Sequence, residues 1–339
     1  MTRVPNPGKY FSSDCFPKPM AVESDFIVKP VSHGDVNEAA RIFRLAFGTD
    51  RGLPDPMRVF GDRDFLITRW RANHGNAFGA YLNGKLVGSN IVSHWGTFGL
   101  FGPLSVHPDL WNKGIGSKLL ENTMKRFSEW GTTHQGLCTA PESPKHIALY
   151  EKFGFSARYL TPIMTKKVGK ALEAGQSDSG TFSGLTTNRE KDQAIRETRE
   201  LASKLHPGLD LADEIRAGEA LKIGETVFVR EDSRMSGFAV CQHGAGTEGG
   251  SGNCYVKFAA AMPGAASEGH FDNLISAIEG YALLKGLNTI EAGVNMGRKE
   301  AYKRTLNHGF RAVSMAVAMQ KPNEEAFNRP GVYAMDDWR

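Results

Sequence analysis

The segment 104–120, LSVHPDLWNKGIGSKLL, constrains this chain most. A short apolar run with Leu104 and Val106 stops at Pro108. A polar turn follows through Asn112, Lys113, Gly114, Ile115 and Gly116. A helix then begins, with Leu119 and Leu120 on its inner side and Lys118 and Glu121 outside. The order is strand, glycine loop, helix N-terminus. The first amides of a helix have no partner within it and sit at the positive end of its dipole, so they attract anions. Gly114 and Gly116 lack a Cβ, which lets the main chain approach such an anion closely. The pattern predicts a cradle for a pyrophosphate. It is neither Gly-x-x-x-x-Gly-Lys-Ser/Thr nor Gly-x-Gly-x-x-Gly in a βαβ unit. Taken alone, the loop leaves open a strand–helix turn that binds nothing.

A second motif follows at 143–155, SPKHIALYEKFGF. Ile147, Tyr150 and Glu151 recur at helical spacing, Gly154 ends the helix as a terminal glycine does, and Phe155 opens another strand-like run. Val-x-Pro, Gly-x-Gly and Leu-Tyr-Glu-Lys-x-Gly-Phe together resemble the GNAT-superfamily N-acetyltransferases. That family's strand–loop–helix–strand–helix–strand order fits residues 99–165, and a looser match covers 26–168.

The resemblance implies a site for acetyl-CoA as co-substrate. Backbone groups of Trp111, Asn112, Lys113, Gly114, Ile115, Gly116 and Ser117 would bind the coenzyme A pyrophosphate. Leu104, Ser105 and Val106 would pair with pantetheine, the Val106 amide facing the thioester oxygen. Tyr150 would stand beside the sulfur, and Ser143 at the helix start. Two positions depart from the family pattern. Trp111 stands where Arg or Gln is usual, with Lys113 as a substitute charge, and Ser143 replaces Asn but still suits an N-cap.

A primary amine of pKa about 10 is roughly one part in a thousand neutral at pH 7, so the reaction needs a base or desolvation of the amine. His94 is the candidate base, since histidine titrates near neutrality; a water relay to a carboxylate is the alternative. The departing thiol titrates near 8.5 and a free tyrosine near 10, so Tyr150 is read as a hydrogen-bond donor to the leaving thiolate.

Length and composition bound the rest. The 339 residues suit two domains, and 40% hydrophobic with 23% charged content is ordinary for globular chains. A net charge of +4 without a basic, aromatic-interleaved run gives no nucleic-acid face. Cys15, Cys138, Cys241 and Cys254 are scattered without metal or disulfide spacing. The first twenty residues lack the apolar core of a signal peptide, and no run approaches about 18 apolar residues. The expectations are a cytoplasmic protein with no metal, nucleic acid or membrane partner, as monomer or homodimer.

The fold class expected is α/β (α+β), with two GNAT-like domains, each a mixed, mostly antiparallel sheet flanked by helices. The divisions are an arm 1–25, a GNAT acetyltransferase domain 26–168, a Gly/Ser-rich linker 169–186, a degenerate GNAT-like domain 187–322 and a tail 323–339. The second half repeats the element order and ends again in helix–Gly309-Phe310–strand. Its loop GAASEGHFD has Gly264 and Gly269 too far apart, with Glu268 and Asp272 where phosphate would be repelled. The function expected is acetyl transfer to an amine of a small molecule or peptide. The other classes are a tRNA-dependent aminoacyl transferase of tandem-GNAT type and a non-catalytic coenzyme-A-binding regulator.

Overall fold

The structure, a computed structural model, describes residues 26–169 and 178–339. The expected arm, with Cys15, and the middle of the expected linker lie outside the described residues. The first half runs β1 (Phe26–Pro30), α1 (Val36–Asp50), α2 (Leu66–Ala72), β2 (Ala77–Leu82), β3 (Lys85–Trp95), β4 (Phe98–Phe101), β5 (Ser105–Val106), α3 (Ile115–Trp130), β6 (His134–Thr139), α4 (Pro144–Glu151) and β7 (Ser156–Lys167). Asn83 and Gly84, with φ of 50° and 77°, make the tight turn between β2 and β3 that their sequence predicts. The α1 stripe Val36, Ala39, Ile42, Phe43 and Ala46 is buried, as its helical spacing requires.

The second half repeats that order. It runs β8 (Asp178–Thr181), α5 (Asn188–Leu205), α6 (Ala212–Ala220), β9 (Gly224–Glu231), β10 (Arg234–Gly244), β11 (Gly250–Ala261), α7 (Ser267–Leu284), β12 (Thr289–Gly293), α8 (Lys299–Asn307), β13 (Arg311–Lys321) and β14 (Ala334–Asp336). Two strands were hidden in the sequence: β8 inside the expected linker and β14 inside the expected tail. Both are short, four and three residues, so alternation cannot reveal them.

The fourteen strands of the described residues form one mostly antiparallel sheet, in the order β1-β2-β3-β4-β6-β13-β7-β12-β11-β10-β9-β8, with β5 on β3 and β14 on β11. The last strand of each half crosses over: β13 lies between β6 and β7, and β7 lies between β13 and β12. The halves therefore complete each other's sheet. On one face α3 and α4 cover Phe101, Leu137 and Phe155. On the other, α1 and α2 cover Ile91 and Leu86.

Buried charge joins the halves beyond the sheet. Arg69 of α2 grips Glu248 with two hydrogen bonds of 3.1 and 2.6 Å, and Lys257 reaches Glu248 and Glu214 at 2.9 Å each. Arg63 makes a bidentate pair with Glu291 at 2.9 and 2.7 Å, and Arg339 binds the same carboxylate at 2.8 Å. Burial alone would raise both carboxyls, but these cations hold Glu248 and Glu291 down at about 2.

Because the folded pKa lies below the ordinary 4.5, each contributes stability that is complete above pH 4.5 and fades as pH falls toward 2. Glu291→Gln is therefore expected to flatten the loss of stability between about pH 5 and 3, read by denaturant unfolding at stepped pH. An unchanged slope would contradict the pairing.

Candidate functional site

The site is a fork in the sheet. β4 and β6 run parallel from Phe98–His134 to Leu100–Gly136 and then part. Residues 98–106 do not form one continuous strand. Gly102 adopts φ 139°, and Pro103 offers no N–H, so the ladder breaks and the chain resumes as β5 against β3 alone. β6 continues to Thr139 beside β13, and the gap between β5 and β6 is the fork.

Hydrogen-bond alternation fixes which groups face that gap. The His107 amide donates to Val87 O at 2.9 Å, and Gly88 stands opposite Val106. In an antiparallel pair this turns the Ser105 main chain toward β3 and the Val106 N–H and C=O away from it. Of the three expected strand residues, Ser105 is thus engaged by Ser89, while Leu104 and Val106 front the fork. The Val106 carbonyl accepts the Trp111 indole N–H at 2.8 Å, which leaves its amide free among the described residues.

The glycine loop then presents a run of amides. Trp111 N donates to Pro108 O at 3.1 Å, so its backbone is spent, a correction to the expected set. From Asn112 through Lys113, Gly114, Ile115, Gly116 and Ser117 no amide has a partner among the described residues; the first helical bond is Lys118 N to Gly114 O at 3.2 Å. No side chain caps α3. Asn112 and Gly114 take φ of 63° and 79°, left-handed geometry that turns successive N–H groups to one side.

Gly116 has no such conformational demand, and a Cβ there would meet only ordinary contacts at 3.6 and 3.7 Å. It is the second residue of α3, and neither its conformation nor its packing requires a glycine there. Trp111 instead fastens the loop to β5, and its ring lies 4.6 Å beneath Lys145 Nζ, which pairs with Asp50 at 2.5 Å.

Tyr150, on the last turn of α4, is 7% exposed and packs its ring on Phe101, 5.6 Å between centroids, at the end of β4. Its hydroxyl has no partner among the described residues. Burial, together with nearby Cys138, pushes its pKa well up, so it stays protonated. Desolvation also raises the Cys138 thiol to about 12, which keeps it protonated.

Ser143 stands at the start of α4 without capping it; its hydroxyl bonds His146 Nδ1 at 2.8 Å. His94 is not brought to the fork. Its ring stacks 4.7 Å from Trp130, at the far end of α3, about 22 Å along that helix from the loop. The neutral-pH base expected there is therefore withdrawn.

The second half supplies the control. β11 and β12 run parallel from Asn253–Thr289 to Val256–Ala292, the same arrangement as β4 and β6. Beyond that point β14 fills the gap, pairing with Phe258, Ala259 and Ala260 and bridging Val294. Arg298, fully buried, fixes Asp336 there, and Gly293 permits it, since a Cβ would lie 2.2 Å from the Asp337 Cβ. Glu268 and Asp272 of α7 are taken by Arg304. The second fork is closed by the chain's own strand, and nothing in the sequence of the tail signals this. The first fork has no such strand among the described residues.

The second half also shapes the first. Its β10–β11 turn accepts and donates around residues 62–64, with Gly246 N to Asp62 O at 2.8 Å and Asp64 N to Thr247 O at 2.9 Å. That fixes the connection between α1 and α2 beside the fork.

Comparison with known proteins agrees with this geometry. Residues 39–155 match the model of the acetyltransferase (GNAT) family. A crystal structure from Pyrococcus horikoshii superposes with TM-score 0.65 at 13% identity, over 97% of this chain and 99% of that one. A GCN5-related N-acetyltransferase from Sphaerobacter thermophilus gives 0.56 at 15% identity, over 92% and 98%. A tandem GNAT protein from the clavulanic acid biosynthesis pathway gives 0.53 at 12%, over 87% and 97%. At these identities the structures speak for the fold. A search of curated proteins returned no match. Residues 39–155 thus carry the match to the acetyltransferase (GNAT) family, and the described residues share the fold of tandem GNAT proteins.

Proposed function

We propose that the first half is an N-acyltransferase that takes an acetyl group from acetyl-CoA and passes it to an amine of a small molecule or peptide. The observation that carries this is the open fork beside six partnerless amides, set against a second fork closed by β14. The residues fit the donor. Amides 112–117 and the positive end of α3 suit the diphosphate, with exposed Lys113 adding charge. Leu104 and Val106 offer main-chain groups to an extended amide-bearing arm, in the manner that β14 uses in the second half. Acetyl-CoA would supply an activated thioester carbonyl.

The Val106 N–H is the donor placed to stabilise charge on that carbonyl's oxygen, since its carbonyl is occupied and its amide is not. Tyr150 acts as hydrogen-bond donor to the departing sulfur. Its raised pKa makes full ionisation costlier than for a free tyrosine, so it shares its proton as the C–S bond lengthens. The dry aromatic surroundings, Phe101 and Phe155, keep that bond strong.

Tyr150→Phe tests the assignment. Removing the donor is expected to lower kcat about 10²-fold or more with little change in KM for acetyl-CoA. Thermal stability should hold, since the hydroxyl has no partner to lose. Release of free thiol from acetyl-CoA, followed against an amine panel, gives the readout. An unchanged kcat would remove Tyr150 from the mechanism.

A further inference from the structure

A cavity of about 390 Å³ lies between the halves, apart from the fork. Its walls come from α2 and the end of β3 on one side, and from α6, β10 and β11 on the other. At Val92–His94, β3 has run past its β2 partner, whose pairing ends at Ile91, so one edge of its main chain is left without a strand neighbour. The volume sits within the range of small-molecule pockets.

The polar groups in the wall divide sharply. Two carboxylates are saturated: Glu248 accepts from Arg69 and Lys257, and Glu214 accepts from the Trp95 indole at 2.9 Å and pairs with Lys257. The donors are not. Gln242 is 3% exposed and spends its Oε1 on the Glu248 amide at 3.3 Å, while its Nε2 has no partner among the described residues. Arg71 and Arg216, at the mouth, make no ion pair or hydrogen bond among the described residues. Against them stands one unpaired carboxylate, exposed Asp213. A buried amide and two guanidinium groups, without partners among the described residues and lining one cavity, call for a ligand that brings acceptors.

We propose that this cavity binds a small oxyanion-bearing metabolite, a carboxylate or a phosphate, as an effector site shared by both halves. The guanidinium groups of Arg71 and Arg216 take the anionic group at the mouth, and Gln242 reads a second acceptor deeper in. The occupant would be coupled to the fork through Arg69, which lies in the cavity wall and also donates to Gly102 O at 2.8 Å, where β4 ends. Nothing in this assignment depends on acyl transfer.

Isothermal titration with citrate and with inorganic phosphate, at constant ionic strength and with glycerol and putrescine as controls, tests it. One saturable site per chain is expected for at least one anion and for neither control, and which anion binds distinguishes carboxylate from phosphate. Arg71→Ala/Arg216→Ala, both exposed positions, should weaken binding about tenfold or more. Ala217→Trp, which fills the cavity from α6, should abolish it. Both variants should keep the response of the protein to acetyl-CoA, which separates this site from the fork. No saturable binding of either anion, or retention of binding in either variant, overturns the proposal.

Discussion

Gly114→Glu is expected to abolish binding of acetyl-CoA, with the fold intact. A side chain at this position meets nothing within 4 Å, so the variant is not excluded by packing. The cost to folding is the left-handed φ of 79°, about 1–2 kcal/mol for a residue with a Cβ. The effect on the ligand is larger. A carboxylate would stand amid the six amides proposed to meet two phosphate charges, adding repulsion and bulk at once. Affinity should fall by about 10² or more. Acetyl-CoA at saturating concentration should raise the melting temperature of the wild type and leave that of the variant unmoved. Equal shifts in both would remove the loop from the binding site.

Arg69→Leu carries the largest expected loss of stability. Arg69 is 6% exposed and Glu248 is fully buried, so removing the guanidinium leaves Glu248 with Lys257 alone. Breaking a buried pair from one side costs about 3–5 kcal/mol, chiefly because the remaining charge is stranded. The Gly102 carbonyl loses its donor as well. A fall in melting temperature of roughly 4–7 °C follows for a chain of this size. Arg69→Leu/Glu248→Leu should recover a large part of that loss, since no carboxylate is then left stranded and Lys257 keeps Glu214. If the double variant is no more stable than the single one, the pair is not what joins the halves here.

Much of the local architecture was legible because short-range physics sets it. Asn83-Gly84 specified a hairpin, Gly154 ended α4 with φ 84°, and the α1 and α3 stripes declared their buried faces. In the loop, only Gly114 is demanded by its backbone conformation, with φ of 79°; nothing in the packing demands Gly116. What escaped was non-local. The exchange of β7 and β13 leaves no trace in the alternation of either strand, which would read alike beside any neighbour. β14 is three residues long, and its place depends on Arg298 and Gly293, about forty residues away.

Trp111 looked like a weakened phosphate contact and proved to be a clamp on Val106, a role visible only once β5 and the loop lie side by side. His94 was plausible from its titration range alone; sequence distance could not show that β3 carries it to the far end of α3.

Hydrogen exchange on the intact chain, with and without acetyl-CoA, tests the central claim most directly. If the free amides of the first fork hold the donor, segment 104–117 should gain strong protection on binding. Segment 258–267, already closed by β14, should not change. Protection absent from 104–117, or appearing instead in 258–267, would contradict the account.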